Sequence, residues 1–154
     1  MKFKVELKGG KEISDLLKRV PKEKEAEAKA EVGDIALKIR ERARMYLKTQ
    51  GAITVVGMLW KSVMWEFSPK GIEAEIGPVQ KYGPYVEFGT RPHWPPLEAL
   101  EKWAKDHGFE SPYLVAKSIA EHGMSARPYL TPAYDDFAGE LIIRLEKVMG
   151  KKWD

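Results

Sequence analysis

The sequence predicts an α+β domain in which a small antiparallel sheet with a β-hairpin packs against a long helix in the N-terminal half, followed by three further helices. Apolar residues alternate with charged ones over residues 3–7, as in a strand with one buried face. Two strand-like segments flank a Ser-Pro-Lys-Gly turn at 68–71, and apolar residues recur every three or four positions over 22–48. At 154 residues, 44% of them hydrophobic, the chain has the length and the apolar content of one domain, spanning 1–154.

The first third of the chain is predicted to be a strand followed by two helices. Gly9-Gly10 ends the strand, and a short helix up to Pro21 follows, with Ile13, Leu16, Leu17 and Val20 at helical spacing. The long helix over residues 22–48 carries a continuous apolar stripe, formed by Ala28, Val32, Ile35, Ala36, Ile39, Ala43, Tyr46 and Leu47. Residues 49–57 are less regular and are interpreted as a loop, with a short turn over 58–62.

The rest of the chain is predicted to contain the hairpin and the three further helices. The strands are expected over 63–67 and 72–76, because Pro stands second and Gly fourth in the turn between them, as a type I turn prefers. A Gly-rich connection is expected over 82–91. Residues 94–123 are interpreted as a helical insert, whose two helices are ended by Gly108 and Gly123. The predicted helices cover residues 95–107, 112–122 and 132–149.

Composition restricts the classes of function. The 26 basic and 23 acidic side chains give a net charge of +3, which is too small to indicate a nucleic-acid-binding domain. The chain has no cysteine, which excludes disulfides, thiol nucleophiles and thiolate metal sites. The longest nearly apolar stretch, residues 52–60, is far shorter than the roughly 20 residues that span a bilayer, and the N-terminus has no signal-peptide core. We therefore expect neither membrane insertion nor export.

The amide content indicates a heat-adapted protein. Asparagine is absent and glutamine occurs only at positions 50 and 80, while Lys, Glu and Arg are abundant. This combination is typical of proteins from thermophiles, in which charged networks gain weight as temperature rises. We therefore expect high thermal stability.

The titratable residues form no catalytic constellation. His107 and His122 each stand directly before a helix-ending glycine, where an imidazole favours the helix dipole without any ligand. His93 lies in a Pro-rich segment, and no two histidines have the i, i+4 spacing of a zinc-binding helix. A metal hydrolase using all three histidines would need distant segments to meet. We expect no catalytic residues, no metal and no cofactor.

The second half of the long helix carries a basic face. Arg40, Arg44 and Lys48 follow one another at intervals of four and would share that face. A solvated face is the favoured interpretation, since cations near a helix C-terminus are stabilised by the helix dipole. The alternative is a nucleic-acid-binding accessory protein that uses this face and shows a steep salt dependence.

Aromatic residues concentrate around two proline-stiffened segments. Residues 91–96 and 127–132 both read Arg-Pro-aromatic-x-x-Pro before a predicted helix. Aromatic side chains on a backbone already restricted by proline lose little entropy on docking, which favours a protein interface; the alternative is that they seal the edge of the core. Glu87 lies among these residues without an acid or base partner, so we predict a structural role for it, between the aromatic segment and the sheet.

Three segments carry a resemblance to a known family. Tyr-Gly-Pro-Tyr-Val-Glu-Phe-Gly-Thr at 82–90 and Arg-Pro-Tyr-Leu-Thr-Pro-Ala at 127–133 resemble motifs of the small neck proteins of tailed bacteriophages, described as head-tail joining, tail-completion or minor tail components. Gly-Met-Leu-Trp-Lys-Ser-Val at 57–63 resembles that family's turn before the hairpin. The chain departs from the family at Gly83-Pro84 and in the insert 94–123.

The resemblance implies a non-enzymatic virion structural protein of a tailed phage or prophage. Such a protein is assembled in the host cytoplasm, is monomeric or weakly associated when free, and forms a ring of subunits on the head-proximal end of an assembled tail. Its partners would be further copies of itself and other neck and tail proteins. The candidate interface residues are Tyr82, Tyr85, Glu87, Phe88, Thr90, His93, Trp94, Arg127 and Tyr129.

Overall fold

The computed structural model describes residues 10–50, 55–69, 71–106 and 108–150. It is a mostly helical α+β fold with one antiparallel hairpin against a long helix, as predicted. The strand expected over residues 3–7 lies outside the described residues. The helices are α1 (Gly10–Lys18), α2 (Glu25–Thr49), α3 (Val55–Ser62), α4 (Gly83–Phe88), α5 (Leu97–Asp106), α6 (Pro112–His122) and α7 (Leu130–Val148); the strands are β1 (Val63–Phe67) and β2 (Ala74–Pro78).

Helix α2 is the central element of the core. Its 25 residues extend about 37 Å, and a 3₁₀ turn at Lys22–Lys24 replaces the first residues predicted to belong to it. The predicted apolar stripe is confirmed, with Tyr46 half-buried and the other members buried. Helices α3 and α7 and both strands of the hairpin pack against α2, while α1 packs against α7.

A network of charged side chains joins α2 to α7. Arg144 lies 2.7 Å from Glu31 and 2.8 Å from Asp34, and Lys38 lies 3.0 Å from Glu140. Hydrogen bonds from Lys38 and Arg144 hold the pKa of the Glu140 carboxyl below its usual value. Such shared pairs are the arrangement through which charge-rich helices are stabilised at high temperature.

The hairpin has the predicted turn but a displaced second strand. Gly71 N–H donates to Ser68 O at 3.2 Å, which closes the expected turn. Ser68 N–H also donates to Glu73 O, so that two further residues belong to the loop and β2 begins at Ala74 instead of at residue 72. The register pairs Trp65 with Ile76.

Two short helices contradict the sequence prediction. Helix α3 covers the whole of the predicted short turn at 58–62 and the last three residues of the segment interpreted as a loop, because the chain buries Leu59 against α2 there. Helix α4 replaces the middle of the expected Gly-rich connection. Pro84 stands in the first turn of α4, where its fixed φ suits a helix, and one side of this helix is buried.

The two helices of the insert are confirmed. Ser111 Oγ accepts a hydrogen bond from Tyr113 N–H at the start of α6, and Gly123 ends that helix with φ +72°. Helices α5 and α6 pack against one another and make few contacts with the other described elements. The final helix, α7, begins at Leu130, two residues before the predicted start at Pro132.

Candidate functional site

The two main motifs of the resemblance meet at one buried carboxylate. Glu87 projects from α4 and is 2% exposed. Its oxygens accept hydrogen bonds from the backbone N–H groups of Tyr129 (2.8 Å), Leu130 (2.8 Å) and Thr131 (2.9 Å), and from the Thr131 hydroxyl (2.5 Å). We call residues 83–90 and 124–131, joined in this way, the Glu87 junction.

Glu87 serves as the N-terminal cap of α7. The first N–H groups of a helix have no partner within the helix, and the helix dipole favours negative charge beside them. The N-cap residue of α7 is Tyr129, and among the described residues its side chain accepts no hydrogen bond from these N–H groups. The predicted link from Glu87 to the sheet is wrong, because its hydrogen-bond partners lie at the start of α7; its structural role stays a prediction that a stability measurement can test.

Backbone hydrogen bonds hold the rest of the junction together. Thr90 and Met124 form an antiparallel bridge, N–H to O at 2.9 and 3.1 Å, and Arg127 N–H donates to Val86 O at 2.8 Å. Gly89 lies between these contacts with φ +69°, and a Cβ there would overlap Met124 O. The Gly-Thr of the first motif is thus explained by a close approach of two backbone segments.

Tyr129 is part of the core and is not available as a surface contact in this conformation. Its side chain is 0% exposed, and its hydroxyl donates to Gly83 O at 3.4 Å. A Cβ on Gly83 would overlap Pro78 and come within 3.0 Å of the Tyr129 hydroxyl. For this candidate interface residue, the alternative that the aromatic group seals the core is the correct one.

The exposed aromatic residues lie on the outer side of the junction and at the base of the insert. Tyr85 and Phe88, one helical turn apart on α4, are 56% and 55% exposed. Trp94 is 52% exposed and makes an edge-to-face contact with Tyr113 of α6, with ring centroids 5.5 Å apart. We call these two exposed pairs, Tyr85 with Phe88 and Trp94 with Tyr113, the aromatic surface.

The other candidate residues take intermediate or exposed positions. Tyr82 is half-buried against the core cluster, and burial raises the pKa of its phenol. Thr90 acts through its backbone bridge, and its hydroxyl lies 3.2 Å from Met124 N. His93 and Arg127 are exposed, and His93 Nδ1 lies 2.9 Å from Arg91 O.

The predicted basic face of α2 is largely covered. The side chains of Arg40 and Arg44 are 22% and 19% exposed and both pair with Glu41. Arg44 also donates to Val63 O at 2.9 Å. Lys48 Nζ lies 4.1 Å from the ring centroid of Trp60, a cation–π contact. The favoured interpretation of a solvated face is therefore wrong for the two arginines. The face also offers a nucleic acid fewer exposed, unpaired cations than its sequence suggested.

The titratable residues give no indication of a metal centre in the described ranges. No group of three or more His, Asp or Glu side chains is placed there to hold a metal ion. His122 Nδ1 lies 3.2 Å from Ser118 O in the last turn of α6, and His107 lies outside the described residues. Asp136 binds Arg42 at 3.1 Å.

Sequence reasoning missed two residues of this site. Thr131 supplies two of the four hydrogen bonds to Glu87, and its position just before Pro132 at a helix start was the available signal. Tyr113 completes the aromatic surface, but its contact with Trp94 depends on how α6 packs against residues 91–96, which no local pattern encodes.

The buried phenol of Tyr129 predicts a loss of stability at alkaline pH. Burial first, then Glu87 and Tyr82, raise the pKa of Tyr129 above its ordinary value of about 10. Above that pH the unfolded chain releases the proton and the folded chain keeps it. The free energy of unfolding should therefore fall as pH rises, by at most about 1.4 kcal/mol per pH unit from this group.

Urea unfolding between pH 9 and 11 checks this expectation. Tyr129→Phe should reduce the slope of stability against pH, whereas Tyr113→Phe, at a phenol that is 51% exposed, should leave it unchanged. If the free energy of unfolding fell equally steeply with pH in the two variants, Tyr129 would not be the group responsible.

Comparisons with family models, curated proteins and solved structures returned no significant match to this chain. None of the described helices is both long and apolar enough to cross a membrane.

Proposed function

We propose that this chain is a non-enzymatic structural subunit of a tailed-phage or prophage neck, which joins or completes the head-proximal end of the tail as a ring of subunits. Two motifs about 40 residues apart carry the resemblance to neck proteins. The observation that most supports the proposal is that the two motifs meet at Glu87. For Glu87, Gly89 and Tyr129 the contacts described above give a specific structural reason for the residue type at that motif position. These structural roles support the proposal, because the residues that carry the resemblance are also residues that hold this part of the fold together.

The aromatic surface is the proposed contact region. Tyr85 and Phe88 stand on a short helix that the Glu87 junction holds in place, so that little ordering is needed when they dock. Exposed aromatic side chains on such a support are the type of residue that contributes most to protein interfaces. Head-to-tail contacts between identical subunits close into a ring or continue as a filament, so the assembled tail is expected to act as the template.

A deletion experiment in a host that carries the gene tests the proposal. Removing the gene should leave filled heads and tails that do not join, and supplying the chain from a plasmid should restore complete particles. Electron microscopy with an antibody against the chain should place it at the neck or tail end. Complete virions that contain no copy of the chain would overturn the proposal.

A matched pair of surface variants tests the contact region. Tyr85→Ala with Phe88→Ala should leave the circular dichroism spectrum unchanged but reduce incorporation into particles at least about tenfold, since buried aromatic anchors often contribute 2 kcal/mol or more. Ile143→Ala, at an exposed apolar residue on α7, serves as the control and should incorporate normally. Equal incorporation of both variants would remove the aromatic surface from the proposal.

A further inference from the structure

The side of α7 opposite to the core carries a row of exposed residues. Core residues such as Leu141 and Leu145 occupy the other side of the helix. Within α7 the exposed residues are Asp136, which binds Arg42, and a row at intervals of four: Asp135, Gly139, Ile143 and Lys147. Residues four apart form one ridge on the surface of a helix. This ridge, which we call the α7 ridge, is about 18 Å long.

Gly139 leaves a notch in the middle of the α7 ridge. A Cβ at this position would meet no atom of the described residues within 4 Å. The glycine of α2 differs, since a Cβ on Gly33 would come within 3.2 Å of Phe67. Glycine inside a helix is less favourable than alanine, because it loses more backbone freedom on folding, and it is used where another backbone approaches closely. For Gly139 such an approach has to come from outside the described part of the chain.

Ile143 is an apolar side chain that fits this notch when it comes from a second copy of the chain. It stands one turn after Gly139 and is 67% exposed. Positions 139 and 143 are symmetric about position 141. When two copies of α7 cross antiparallel at that point, Ile143 of each copy therefore faces Gly139 of the other, and a two-fold axis makes the contact twice. Ridges of this kind interlock at a crossing angle of about −50°.

The charges at the two ends of the α7 ridge favour the antiparallel arrangement. Asp135 lies four residues before Gly139, and Lys147 lies four residues after Ile143. The same symmetry therefore places Asp135 of one copy beside Lys147 of the other, whereas a parallel arrangement would place like charges together at both ends. The network that joins α7 to α2 uses other charged residues, and both of these are exposed.

We propose that the α7 ridge binds a second copy of this chain, antiparallel across a two-fold axis, with Ile143 against Gly139 and Asp135 beside Lys147. The ridge is short compared with a standard interface, so the dimer should be weak, with a dissociation constant of about 100 μM. A closed two-fold contact does not extend into a ring, and none of its residues belongs to the aromatic surface. The inference is therefore independent of the proposed neck function.

Sedimentation equilibrium of the full chain, from about 5 μM to about 1 mM, tests the proposal. The unsubstituted chain should change from monomer to dimer and associate no further. Gly139→Leu fills the notch and should weaken association at least about tenfold, and Ile143→Ala should do the same because it removes the apolar side chain. The matched control is Leu114→Ala, at a side chain of α6 that is 63% exposed, and it should associate normally.

A melting experiment in dilute solution separates this contact from an effect on the fold. Leucine favours a helix more than glycine does, and the space at Gly139 is open, so Gly139→Leu should keep or raise the melting temperature of the monomer. A lower melting temperature would show that another part of the same chain covers the notch, and it would overturn the proposal.

Reversing the two charges tests the antiparallel arrangement. Asp135→Lys and Lys147→Asp should each weaken association about tenfold, because each places like charges together twice in the dimer. The double variant should recover most of the lost affinity, because it restores both pairs in reversed order. Double reversal without recovery would overturn the proposal. A chain that stays monomeric at the highest concentration, or a dimer that Gly139→Leu does not weaken, would also overturn it.

Discussion

Replacing Glu87 with glutamine should lower the free energy of unfolding by about 3 kcal/mol, which for a chain of this length is a fall in melting temperature of about 6–12 °C. All four hydrogen bonds to Glu87 are donated to its carboxylate oxygens from the start of α7. Glutamine keeps one acceptor oxygen and turns an NH₂ group toward backbone N–H groups, so at least one buried donor loses its partner. Calorimetry and urea unfolding measure the effect.

The matched control for this variant is Glu98→Gln. Glu98 also stands in the first turn of a helix, α5, but is exposed, so its replacement should cost less than about 1 kcal/mol. Thr131→Val removes one of the four donors and should cost less when Glu87→Gln is already present, because the two residues share one hydrogen-bond network. If Glu87→Gln and Glu98→Gln melted at the same temperature, the capping role of Glu87 would be refuted.

The sequence predicted the elements in which a long periodic pattern decides the structure. Helix α2 buries the side chains of its apolar stripe in the predicted register, because 25 residues repeat one amphipathic pattern without interruption. The turn of the hairpin followed from Pro69 and Gly71, whose backbone preferences are local. These predictions needed no knowledge of the neighbouring elements.

Predictions failed where contacts between elements distant in the sequence decide the local structure or a side chain's partner. Helix α4 has six residues, too few for a detectable period, and exists because one side of it is buried at the junction. Arg44 looks solvated on a helical wheel, yet it bonds Val63 O, which belongs to a strand that the wheel does not include. For Glu87 the sequence predicted a structural role, but the choice of α7 as its partner depended on where the chain returns 43 residues later.

Trp94 and Tyr129, which lie in the two proline-stiffened segments 91–96 and 127–132, illustrate the same limit and give the last prediction. Trp94 is the fourth residue of segment 91–96 and Tyr129 the third of segment 127–132, and the sequence marked both as interface candidates, for which alanine should spare the fold. The structure separates them, since the Trp94 side chain is 52% exposed and that of Tyr129 is 0% exposed. For Tyr129 the expectation that alanine spares the fold is therefore wrong.

Tyr129→Ala should lower the free energy of unfolding by about 4 kcal/mol, as expected when a large buried aromatic side chain is truncated and leaves a cavity. Trp94→Ala should cost less than about 1 kcal/mol, because about half of its surface is already in contact with water. Urea unfolding followed by far-UV circular dichroism compares the two, since this signal does not depend on the removed indole.

The pair also distinguishes a folding defect from an assembly defect. Trp94→Ala should yield normal amounts of folded chain but reduce incorporation into particles, because it changes the aromatic surface and spares the core. Tyr129→Ala should lower the amount of folded chain first, and its incorporation should fall only in proportion to that loss. If Trp94→Ala destabilised the chain as much as Tyr129→Ala did, Trp94 would be a core residue and would no longer belong to the aromatic surface.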